Sequence, residues 1–243
     1  MHKAYTSGAI VESLFRLDFQ LLPLTPERIA TRKIGVGWID FQIGGQQLFQ
    51  FHPAAPDDIR DQPGDSRAYG DVLEYLTEFL VPLQVALTQP TPSLTLSPLA
   101  LVALRESELE RAAAAENEAE FVAVQKHWSW LLSRSAMWHR DYSPHVAFIA
   151  IGNRIHITWD NRHHVWRNGG SHPIWHSTCG DVSLDPCAIT HELARAFSNL
   201  WRELPTHALG PAEGTVAAHC RAWQPIIDEK LTKLQRLAAL LAC

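Results

Sequence analysis

The stretch HVAFIAIGNRIHITWD, residues 145–160, constrains the fold more than any other part of the chain. Two runs rich in apolar and β-branched residues flank Gly152-Asn153, a turn-forming pair, and predict two strands folded into a hairpin. A related signal occurs near the start. In LFRLDFQLLPL, Phe15, Leu17, Phe19 and Leu21 alternate with Arg16, Asp18 and Gln20, the period of a half-buried strand. GWIDFQIGGQQLFQF adds two short strands around Gly44-Gly45, a turn that needs positive φ. Val72, Leu76, Phe79, Leu80 and Leu83 then recur at helical spacing across residues 69–88.

Between the hairpins, LALVALRESELERAAAAENEAEFVAVQKHWSWLLSRSAMW is rich in Ala, Leu and Glu and predicts helix, with Phe121, Val124, Trp128 and Leu131 as a buried stripe. After the second hairpin, HPIWHSTCGDVSLD adds a strand and PCAITHELARAFSNLWREL a helix. The final helix, TVAAHCRAWQPIIDEKLTKLQRLAALL, is expected to kink or restart at Pro225. Its stripe of Ile227, Leu231, Leu234, Leu237 and Leu241 is expected to cap the body. The pattern predicts one α+β domain over residues 1–243, with two strand-strand-helix segments, each an antiparallel hairpin, flanking a helical middle region and a long C-terminal helix. The divisions fall at 12–90 (hairpin plus helix), 98–140 (helical insert) and 145–243 (hairpin plus helices), and the likeness of the halves suggests an old duplication.

Composition narrows the function. With 46% hydrophobic and 19% charged residues, a packed core is expected, and a formal charge of -5 gives no basic footprint for nucleic acid. The longest uncharged run, Phe79–Leu104, carries Pro82, Pro90, Pro92 and Pro98, which rules against a membrane span. The opening MHKAYTSGAIVESLFRLDF lacks the apolar run of a signal peptide, so a cytoplasmic location is expected, with Cys179, Cys187, Cys220 and Cys243 as reduced thiols.

Several groups of residues bear on chemistry. AITHELARAF begins like the H-E-x-x-H of a zinc peptidase, but the second ligand position holds Arg195, which stays protonated and offers no lone pair. A helical wheel gathers Ile189, Leu193, Ala196, Phe197, Leu200, Trp201 and Leu204 on one side and turns His191 and Arg195 outward, with Glu192 as a first-turn acid. Upstream, His163, His164, His172, His176, Cys179, Cys187 and His191 crowd one stretch. Of these, His176, Cys179, Cys187 and His191 have spacings a zinc site could use, against the plainer reading of loop histidines and a packed thiol. No cofactor is otherwise implied. His139, Asp141, His145, Asp160 and His163 would converge if the second hairpin packs on the middle helix. Most of the nine tryptophans belong in the core, while Trp159 and Trp166, beside Asp160 and Arg162, are candidates for a binding surface. The acids Glu106, Glu108, Glu110, Glu116, Glu118 and Glu120 read as a solvated face, with Glu116, Glu118 and Glu120 as candidates for docking a partner.

The segment KHWSWLLSRSAMWHRDYSPHVAFIAIGNRIHITWD, the opening FRLDFQLLPL with GWIDFQIGGQQLFQF, and the close IWHSTCGDVSLDPCAITHELARAFSNLW resemble an uncharacterised bacterial family, domain of unknown function 5984. The likeness covers about Leu14 to Leu204 and implies no catalytic residues, nor a required His-Glu pair in the closing helix. The chain therefore reads first as a non-enzymatic cytoplasmic binding protein, of the immunity or antitoxin type that neutralises a bacterial toxin by protein–protein contact. The alternatives are a hydrolase or zinc-dependent enzyme using residues 163–191 and a scaffold subunit of a conflict or defence system.

Overall fold

The computed structural model describes residues 14–23, 25, 27–28, 35–55, 67–115, 117–137, 144–163, 165–166, 172–206 and 213–243. Its first sheet is built around β2 (Val36–Ile43). The edge strand β1 (Phe15–Leu21) lies antiparallel to β2 on one side, and β3 (Gln46–Gln47) and β4 (Ala68–Asp71) pair with it on the other. The β2–β3 hairpin turns at Gly44 and Gly45, with φ of 56° and 79°, as the Gly-Gly pair requires. The sequence reading takes residues 69–71 as helix; they form β4 instead, and Asp71 caps the helix that follows by accepting from the Glu74 amide at 3.1 Å.

That helix, α1 (Val72–Thr88), joins the two halves of the molecule. Phe79 is fully buried, with its ring 4.5 Å from that of Phe41 on β2 and 6.4 Å from that of Phe148 on the second sheet. The middle region is three helices, α2 (Pro98–Ala114), α3 (Glu118–His127) and α4 (Ser129–Leu132). The expected buried stripe here is half right: Trp128 and Leu131 are buried, whereas Phe121 and Val124 are only half-buried, because α3 buries no residue fully.

The second sheet follows the order β10-β7-β6-β5, from β5 (Ser135–Ala136), β6 (Val146–Ile151), β7 (Arg154–Asp160) and β10 (Cys179–Leu184). The β6–β7 hairpin turns at Gly152 as expected. A short pair, β8 (Val165–Trp166) and β9 (His172–Pro173), stands apart. Val146 and Phe148 join the main core, while Ala147 and Ile149 join a second cluster with Leu101, Val102, Trp128, Leu131 and Leu132. Both faces of β6 are therefore covered, which accounts for its nearly unbroken apolar run. Backbone bonds from His52 N to Ile174 O and from His176 N to Gln50 O, both 2.8 Å, tie the two sheets together.

Two long helices close the body, α5 (Pro186–Thr206) and α6 (Glu213–Leu241). Ile189, Leu193, Ala196, Phe197, Leu200 and Leu204 are buried on α5 and Trp201 is half-buried, as the helical wheel predicts. On α6, Ile227, Leu234 and Leu237 enter the main core, so the helix caps the body. It runs without a restart through Pro225. Cys187, in the first turn of α5, and Cys243, just beyond α6, form a disulfide, which corrects the expectation of reduced thiols at these two positions. No helix among the described residues is long and apolar enough to cross a membrane.

Candidate functional site

A cleft of about 510 Å³ opens where the β2–β3 hairpin meets the segment leading into β10. Gln42, Gly45, Gln46, Gln47 and Gln50 line one side; His176, Ser177, Thr178 and Cys179 line the other. No Asp, Glu, Lys or Arg lines it among the described residues. The wall is organised from below. The indole of the fully buried Trp159 donates to Ser177 Oγ at 3.1 Å, and the Ser177 hydroxyl donates to Gln46 Oε1 at 2.6 Å. Trp159 reaches this position because its cross-strand neighbour is Gly180, where a Cβ would fall 2.3 Å from the ring. On the other side, Gln42 Nε2 donates to Asp40 Oδ2 at 3.1 Å. The four glutamines escaped the sequence reading, although DFQIGGQQLFQF carries them all in one short stretch, a local enrichment that could have marked it.

The four residues whose spacing a zinc site could use are dispersed. His176 and Cys179 lie at the cleft, Cys187 is bonded to Cys243, and His191 is exposed on α5. In its bonded form Cys187 offers no thiolate to a metal. Among the described residues no three His, Cys, Asp or Glu side chains are grouped to hold a metal ion.

The HExxR segment holds the edge of β1. Leu17 lies opposite Phe41, whose carbonyl accepts from the Leu48 amide on the far side of β2, so Leu17 turns its own amide and carbonyl to the open edge. Glu192 Oε1 accepts from the Leu17 amide at 2.8 Å, and Arg195 Nη2 donates to the Leu17 carbonyl at 2.8 Å and to Asp18 Oδ1 at 2.9 Å. Hydrogen bonds from Arg195 to Glu192, at 2.6 and 2.7 Å, complete the clamp and raise the Arg195 pKa above its ordinary value. The expectation that Arg195 looks outward is corrected: one helical turn imitates a neighbouring strand at a single residue. His191 is exposed, as expected.

The polar convergence of the second hairpin on the middle helices is real in part. His145 Nδ1 lies 3.2 Å from Glu106 Oε2, and Arg105 bonds both Glu106 and Ser135 in the same buried cluster. Burial would raise the Glu106 pKa, but the charge of Arg105 and the hydrogen bond and charge of His145 outweigh it and lower it to about 2. His163 Nδ1 meets Glu110 Oε2 at 2.6 Å, and the Trp128 indole donates to Glu108 Oε2 at 2.7 Å. Glu106 and Glu108 are thus structural acids, which corrects their reading as a solvated face, whereas the Glu110 side chain stays 37% exposed beside His163. Asp160 pairs with Arg162 and not with these histidines, while His139, Asp141 and His164 lie outside the described residues.

The binding-surface candidates divide. Trp159 and Asp160 are fully buried, which corrects their placement on a surface. Asp160 instead holds the exposed Arg162 through bonds of 2.8 and 2.5 Å, which raise the guanidinium pKa. Trp166 falls on β8, but its side chain lies outside the described residues, as do Glu116 and the Cys220 side chain. Glu118 and Glu120 are exposed in the first turn of α3, capped by Asn117 through the Glu120 amide at 3.3 Å. No protein-family model, no curated protein and no solved structure matches the chain.

Proposed function

We propose that this chain is a non-enzymatic binding protein, of the immunity or antitoxin kind, that engages a basic protein partner through α3. The observation that carries this reading is the surface of α3 itself. Its ten residues include none that is buried, Val122 is half exposed, and Glu118 and Glu120 face solvent, whereas on α2 Glu106 and Glu108 bond inward and Glu110 pairs with His163. A helix that contributes so little to the core is well suited to contact, and its acidic first turn beside the exposed Val122 suits a cationic partner, with Lys126 and His127 at the opposite end of the helix. Membership of the uncharacterised bacterial family 5984 belongs to the same proposal, as does a role with a toxin as partner. The Cys187–Cys243 disulfide supports an oxidising location over the cytoplasmic one expected from the sequence.

The test measures binding of the purified chain to basic toxin or effector domains encoded beside its gene. Binding should weaken about tenfold or more on Glu118→Lys with Glu120→Lys, and should weaken as salt rises. If no neighbouring product binds, or if the double charge reversal leaves affinity unchanged, the proposal fails.

A further inference from the structure

We infer that the amide-lined cleft between the β2–β3 hairpin and residues 176–179 binds an uncharged, polyhydroxylated small molecule of the saccharide class. This goes beyond the protein-binding role of α3 and rests on a different part of the fold. A charged ligand entering the cleft would lose hydration with no carboxylate, ammonium or guanidinium in the described lining to replace it, His176 and Cys179 being the titratable groups there. A neutral ligand avoids that cost, and a volume of about 510 Å³ is in the range of small-molecule sites.

The polarity of the wall favours hydroxyls. An indole nitrogen only donates, so Ser177 Oγ is the acceptor for Trp159, and its own proton goes to Gln46 Oε1. This leaves the Gln46 amide nitrogen as a donor whose orientation is set from beneath. A carboxylate only accepts, so Gln42 must offer Asp40 its nitrogen, and the Gln42 carbonyl oxygen is left as the acceptor. Gln42 pairs across the hairpin with Gln47 and Gln46 with the adjacent Ile43, so the fixed acceptor and the fixed donor leave opposite faces of the hairpin while both line the cleft, and they would be met by different hydroxyls of one ligand. A hydroxyl donates and accepts through one atom and can satisfy both kinds of group, and a sugar repeats it on adjacent carbons. Ser177, itself 6% exposed, acts as a positioning residue for Gln46.

The experiment uses saturation-transfer NMR on the full chain with methyl glucoside, N-acetylglucosamine and sucrose as probes, and N-acetylglycinamide as a counter-probe that carries an amide without hydroxyls. Saturable transfer to at least one sugar is expected, with affinity about tenfold weaker in Gln42→Ala and in Gln46→Ala. Both side chains lie outside the core, so each variant should stay folded, with its thermal midpoint lowered only by the lost bond to Asp40 or to Ser177. Ser177→Ala should weaken the same sugar while Gln46 remains in place. If no sugar gives saturable transfer to the unmodified chain, the inference is wrong, whatever the variants do. Tighter binding of N-acetylglycinamide than of any sugar would also overturn it, as would full sugar affinity in the Gln46→Ala protein.

Discussion

Glu192 and Arg195 show how much a residue's role depends on what lies opposite it. In the sequence they are two letters of a broken metalloprotease pattern; in the fold they satisfy the amide and the carbonyl of Leu17 at the open edge of β1. An unpaired strand edge is a template for another chain, and a side-chain clamp at its centre removes part of that template. Glu192→Ala or Arg195→Ala should each cost about 1–2 kcal/mol in urea unfolding, because each leaves a backbone group and a former partner without its bond. The same variants should self-associate more than the parent in light scattering. Unchanged stability together with unchanged association would show that the clamp is incidental.

At the scale of elements, the ends of α5 and α6 are pinned to each other. The α6 helix finishes with Ala242 in the left-handed region at φ 57°, and the Cys243 amide bonds back to the Ala238 carbonyl at 3.0 Å, a helix ending for which glycine is the usual residue. Cys243 then reaches Cys187 across a sequence separation of 56 residues. A crosslink of that span restricts the unfolded chain, so Cys243→Ser should lower stability by about 2–4 kcal/mol. Thermal melts check this directly: reductant should lower the midpoint of the parent and leave that of Cys243→Ser unchanged. The stripe of α5 is legible in the sequence because every one of its apolar positions meets the same core, whereas α3 misleads because helical spacing alone does not say whether anything packs against the helix.

For the whole molecule, acid stability should depend on Glu106, which links α2 to His145 at the start of the second hairpin. Its folded pKa of about 2 lies below the ordinary 4.5, so its contribution is fully present above about pH 4.5 and is lost as pH falls from there toward 2. That contribution is on the order of 3 kcal/mol, and Glu106→Gln should remove this part of the slope of unfolding free energy against pH while lowering stability at neutral pH, since Arg105 would stay buried without its anion. A slope unchanged by the substitution would refute the assignment. The sequence by itself determined the α+β class, both hairpins with their glycine turns, and the core faces of α1, α5 and α6, since each follows from local periodicity and turn chemistry. Only the tertiary structure decided the rest: that β6 is covered on both faces, that Trp159 and Asp160 are internal, that Cys187 meets Cys243, and that Gln46 meets Ser177 at a cleft. Those outcomes depend on contacts between residues far apart in the chain, which a local repeat does not encode.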